Sequence, residues 1–123
     1  MGTTPLPNAI SHYLSLVGSA GAADLAEVLA CFTDDADVID NDDVRHGHGE
    51  IREWWTGPVT AFHYTVEVSS AHELGGDRYV ARTRLSGDFA GGTVELANRF
   101  TLRDGRIARL EIAATSPESS ADA

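Results

Sequence analysis

A chain of 123 residues, 42% hydrophobic and 23% charged, has the make-up of one globular domain around a single hydrophobic core. Its 19 acidic against 9 basic side chains give a formal net charge of −10. That field repels polyanions, so neither nucleic acid nor an anionic membrane surface is an expected partner. No apolar run reaches the roughly 18 residues of a membrane span, no basic-then-apolar leader opens the chain, and Cys31 is the sole cysteine, so the expected compartment is the cytoplasm.

In chain order, residues 1–7 read as a flexible lead-in, 8–115 as one domain and 116–123 as a flexible tail. Asn8 is the expected N-cap of a first helix, whose buried stripe is Ile10, Tyr13, Leu14 and Val17 at i, i+3, i+4, i+7. Small residues from Gly18 to Gly21 break it. Leu25, Val28, Leu29 and Phe32 repeat the spacing in a second helix, and the two should pack as a hairpin. Thr33-Asp34-Asp35 ends that helix, and a short strand follows over 36–42. A third helix is expected over Glu50 to Thr56, with Ile51, Trp54 and Trp55 inward, stopped by Gly57 and Pro58.

The period then changes from 3.6 to 2. Phe62, Tyr64, Val66 and Val68 alternate with His63, Thr65 and Glu67. After Gly75-Gly76-Asp77, Tyr79, Ala81, Thr83 and Leu85 alternate with Val80, Arg82, Arg84 and Ser86. Val94, Leu96, Asn98, Phe100 and Leu102 then share one face of the clearest strand. Asp104-Gly105 signals a type I′ hairpin into a last strand over 106–113. Helices followed by a run of hairpin-joined strands define an α+β layer fold.

Three polar residues interrupt faces that should be apolar. Asn98 lies between Leu96 and Phe100, and a buried amide without partners costs about 1–3 kcal/mol, so it must bond either a ligand oxygen or a neighbouring group. Asp40 shares the face of Val38. Burial and the nearby acids Asp37 and Asp42 would raise its pKa toward that of a general base, whereas an acidic turn over Asp40 to Asp43 would leave it solvated. Tyr13 is either a pocket donor or plain core. His46 and His48 flank Gly47 and lack a third metal ligand, so no metal site is expected. His48 caps the third helix or sits at a pocket mouth. Trp54 and Trp55 point about 100° apart on a helix, one into the core and the other to a rim or interface. Cys31, among apolar neighbours, reads as an inert thiol. Arg82, Arg84, Arg99, Glu67 and Glu95 should form ion pairs on the outer sheet face.

Phe32-Thr33-Asp34-Asp35-Ala36-Asp37-Val38, Gly49-Glu50-Ile51-Arg52-Glu53-Trp54, Ser86-Gly87-Asp88-Phe89 and Asn98-Arg99-Phe100-Thr101-Leu102-Arg103-Asp104-Gly105-Arg106-Ile107, in this element order, resemble the SnoaL-like branch of the nuclear-transport-factor-2-like superfamily. The resemblance spans roughly 8–113, nearly the whole chain. It implies a cone-shaped, bent antiparallel sheet closed by the N-terminal helices (the cystatin-like arrangement), an apolar pocket at the wide end, and a homodimer through the outer face. Val38, Phe62, Tyr64, Phe100, Trp54, Trp55 and His48 are then the expected lining, and a small apolar molecule the expected ligand. Asp40 resembles the catalytic base of ketosteroid isomerases, Asn98 the second oxyanion donor with an amide in place of the family's acid, and Tyr13 the first donor. The implied chemistry is cofactor-free isomerisation, cyclisation or dehydration of a carbonyl or hydroxyl compound. The alternative is a binding or dimerisation module of the same fold without catalysis.

Overall fold

The computed structural model describes residues 6–17, 25–40, 42–59, 64–87 and 92–115. α1 (Asn8–Val17) turns Ile10, Tyr13, Leu14 and Leu16 inward. Its first turn is opened by the Pro7 carbonyl, which accepts from the N–H groups of Ile10 and Ser11 at 3.0 Å. The cap is therefore Pro7, one residue before the expected Asn8. α2 (Leu25–Ala30) buries Val28 and Leu29 and is shorter than its hydrophobic spacing suggests. Phe32, which completes that spacing, already belongs to β1 (Phe32–Asp40) and is fully buried there.

β1 runs nine residues and turns directly into β2 (Asp43–His46), with Asp40 opposite Asp43 and Asp42 at φ 77°. The acidic run Asp40 to Asp43 is thus a hairpin corner rather than an open loop, and its second strand has no hydrophobic alternation to announce it. α3 (Gly47–Trp54) follows at once, its His46 N–H satisfied by Glu50 Oε1 at 2.8 Å. The helix widens into a π turn over Trp55–Val59, where Gly57 and Pro58 end it.

β3 (Tyr64–Gly75), β4 (Arg78–Gly87), β5 (Thr93–Arg103) and β6 (Arg106–Thr115) form the expected meander. Asp104 and Gly105 both have positive φ, 55° and 81°, as a type I′ turn requires. The sheet has six strands in the order β2-β1-β6-β5-β4-β3. It is mixed rather than wholly antiparallel, because β1 lies parallel to β6. Register breaks at Val68/Ser70, Glu73/Gly75 and Thr101/Leu102 insert bulges, which bend and twist the strands that carry them. α1 packs on β6 and α3 on β1, so the helices close one face of the curve over Phe32, Val38, Phe100, Ile107 and Leu110.

Candidate functional site

The strand registers place two of the polar interruptions, Asp40 and Asn98, on one line. Asp40 of β1 pairs with Ile112 of β6, Ile112 with Asn98 of β5, Asn98 with Ala81 of β4, and Ala81 with Ala71 of β3. Directly paired residues share a face. Asp40 and Asn98 therefore sit on the concave, helix-covered side, two strands apart, with Cα atoms about 10 Å from each other.

Asp40 is partly buried at the end of β1. The Trp54 indole N–H donates to its Oδ2 at 3.0 Å. Trp54 is itself only 2% exposed. The ring fixes the carboxylate's direction and leaves its second oxygen without a partner among the described residues. Asp40 begins the hairpin corner and lies on the same face as Val38.

Asn98, 3% exposed, follows the second of its two expected roles, a bond to neighbouring groups. Its Nδ2 donates to the Ala81 carbonyl at 3.0 Å and to Thr83 Oγ1 at 3.1 Å. Because a carbonyl can only accept, the Ala81 contact fixes which end of the amide is nitrogen. Both amide hydrogens are spent on β4, so Asn98 is not poised to donate to a ligand oxygen. Thr83, equally buried at 3%, joins the site instead. Sequence reasoning passed over Thr83, although a signal existed: it breaks the apolar row of β4 as Asn98 breaks that of β5.

The Tyr13 ring is packed edge-on against Phe32, Phe100 and Trp55, with centroids 5.7, 5.9 and 6.3 Å away. It belongs to the hydrophobic core together with Val38 and Phe100, which are fully buried or nearly so. Trp55 is 2% exposed, so neither tryptophan sits at a rim. The π turn brings Trp55 against α1 while Trp54 reaches β1, and the two rings meet edge-on at 6.1 Å. His48 is not at this site. Its Nε2 bonds the Phe32 carbonyl at 3.2 Å, at the opposite end of β1 from Asp40, roughly 25 Å along the strand. Phe62 lies outside the described residues. Tyr64 opens β3 opposite Gly87, and its side chain also lies outside them.

Other titratable groups serve the scaffold. Burial pushes the Cys31 thiol up to about 11, with Glu27 adding to the effect, so it is no nucleophile near neutral pH. His46 Nδ1 meets Asp37 Oδ1 at 2.6 Å, and that hydrogen bond raises the imidazole pKa. Arg103 bonds Asp35 at 2.6 Å and lowers its carboxyl pKa. On the convex face Arg84 pairs with Glu95 directly across the strands at 2.9 Å. Two shallow grooves, of about 690 and 550 Å³, lie at the other end of the fold. The first runs between α1 and the β5–β6 turn, the second between that turn and the start of β1. Among the described residues no cluster of side chains could hold a metal ion, and no helix is long and apolar enough to cross a membrane.

Residues 13–110 match the SnoaL-like domain family, and the chain belongs to it. A proposed polyketide cyclase from Sinorhizobium meliloti is 33% identical and superposes with a TM-score of 0.79, over 88% of this chain and 95% of its own. A nuclear-transport-factor-2-like protein of unknown function from Exiguobacterium has the same fold at 18% identity, TM-score 0.76, covering 89% of this chain and 99% of its own. TerC, crystallised with polyporic acid, follows at 19% identity and TM-score 0.73, over 87% and 88% of the two chains. No curated protein matches the sequence.

Proposed function

We propose that the protein carries out cofactor-free acid–base chemistry on a small, mostly apolar carbonyl or hydroxyl compound, of the isomerase, cyclase or dehydratase type. The observation that carries this reading is the Asp40 carboxylate, held through one oxygen by a buried indole while the other has no partner among the described residues. A carboxylate fixed in this way is preorganised to take a proton from carbon next to a carbonyl and return it elsewhere, or to water. Asn98 positions neighbouring groups, and Tyr13, Val38 and Phe100 supply the apolar floor. The relatives support a polyketide-like or aromatic substrate, since one is a proposed polyketide cyclase and another was crystallised with polyporic acid. We further propose a cytoplasmic homodimer joined through the convex face, where Arg82 and Arg99 have no ion-pair partner among the described residues. Light scattering on the purified protein tests the dimer.

Proton abstraction is read directly by exchange of carbon-bound hydrogen in D2O. With 2-tetralone as the probe, the wild type should accelerate deuterium uptake next to the carbonyl, and Asp40→Asn should return it to the buffer rate. Equal uptake in both proteins would exclude Asp40 as the base. The competing reading, a module that binds such a molecule without catalysis, is favoured by the internal bonds that occupy the Asn98 amide. It predicts saturable binding with no uptake above buffer.

A further inference from the structure

The Thr83 hydroxyl is an unspent donor on the concave face. Its oxygen accepts from Asn98 Nδ2 at 3.1 Å, and among the described residues no acceptor receives its proton. Thr83 is 3% exposed, so bulk water cannot readily satisfy that proton. The registers pair Thr83 with Val68 of β3 and Leu96 of β5, both on the concave side. Here the face is not sealed as it is over Phe100, because Val68 is 41% exposed and Leu96 only partly buried. Two residues along the strands from the Asp40 row, an inward hydroxyl therefore has the incompletely covered apolar side chains of Val68 and Leu96 on either side.

We infer that Thr83, its hydroxyl held by Asn98, is the group that donates a hydrogen bond to a ligand oxygen at this site, with a neutral carbonyl as the acceptor it selects. This rests on the proposed function for the existence of a ligand there. The chemistry follows from the bond pattern. An N–H that donates to a hydroxyl oxygen draws density from it and strengthens the hydroxyl as a donor. The two bonds of Asn98 also anchor its amide to the β4 backbone, so the hydroxyl oxygen is fixed and only its proton is free to turn. Thr83 thus does the work that the Asn98 position was expected to do, and Asn98 is a positioning residue. A carboxylate or phosphate is a poor fit, because no cation accompanies the hydroxyl on this row and Asp40 lies on the neighbouring one.

The probes are 2-acetylnaphthalene and 2-isopropylnaphthalene, which have nearly the same shape but differ in a carbonyl oxygen that only accepts. Affinities of both are measured by equilibrium dialysis with wild type, Thr83→Val, Thr83→Ala and Thr83→Ser. The wild type should prefer the ketone, and that preference should fall about ten-fold in Thr83→Val and Thr83→Ala, the value of one buried hydrogen bond. Thr83→Ser should keep it. The infrared carbonyl stretch of the bound ketone should lie at lower frequency in wild type and Thr83→Ser than in the other two. Asn98→Ala should lose part of the preference and part of the infrared shift, because the hydroxyl is then free to rotate. If both probes bind and the preference is unchanged in Thr83→Val and Thr83→Ala, or is lost in Thr83→Ser as well, Thr83 is not the donor. If neither probe binds the wild type, the pocket itself is absent and the proposed function falls with it.

Discussion

Removing the indole N–H while keeping a ring in the core, by Trp54→Phe, tests how Asp40 is held. Truncating a buried Trp to Ala costs roughly 3–5 kcal/mol, and a phenyl ring fills most of that space, so the packing loss is about 1.5 kcal/mol. A hydrogen bond to a charged acceptor contributes about 1.5–3 kcal/mol. Asp40 is partly exposed, so water recovers some of that, and about 1.5 kcal/mol remains. The total is about 3 kcal/mol, read as a lowered midpoint in urea with an unchanged slope. A double-mutant cycle with Asp40→Ala separates the two parts, because only the bond is shared between the residues. Its coupling should be about 1.5 kcal/mol. A coupling under about 0.5 kcal/mol would falsify the reading that the indole anchors the carboxylate, whatever the single variants do.

Asn98→Asp would set a carboxylate against the Ala81 carbonyl now 3.0 Å from the amide nitrogen. The new acid should have a raised folded pKa and cost about 3 kcal/mol at pH 7. Because the folded state then holds its proton more tightly, the variant should be relatively more stable at pH 4 than at pH 7, the reverse sign being disproof. His46 should titrate above its ordinary 6.5 by NMR, owing to its bond with Asp37, and Asp37→Asn should return it. Its contribution to stability is complete below the unfolded value and is lost as pH rises through the folded one. Cys31 should resist alkylation at pH 8 in the folded protein and react only in denaturant; fast labelling without unfolding would contradict its burial. Gly105→Ala should cost about 1 kcal/mol, since φ is 81° there, and a neutral outcome in urea would mean the turn differs.

The meander was legible because alternation and turn chemistry are local: Asp104-Gly105 and the inward row Leu96, Asn98, Phe100 needed no partner to be read. What was not legible depends on who lies beside whom. Phe32 fits the helical spacing of Leu25, Val28 and Leu29, yet it enters β1, because burial against Ile107 outweighs one more turn of helix. β2 carries Asp43, Arg45 and His46, and only pairing with β1 reveals it as a strand. The site divides in the same way. Polar residues on an apolar face marked Asp40 and Asn98, but no sequence spacing links Trp54 to Asp40 or says that the Asn98 amide turns sideways to Thr83. His48 was misplaced because its partner, the Phe32 carbonyl, is set by how α3 lies along β1.

The parallel seam has a consequence for how the molecule comes into being. Ile112 stands between Asp40 and Asn98, so β6 is the strand that joins β1 to the meander. Until the ribosome releases that segment, β1 has only the short β2 ribbon beside it, and the meander lacks its inner edge. Closing that gap requires contacts about 70 residues apart, a separation that slows folding. The sheet should therefore close in a single late step, and a chain stopped short of Ile112 should hold Asp40 and Asn98 without ever bringing them onto one sheet.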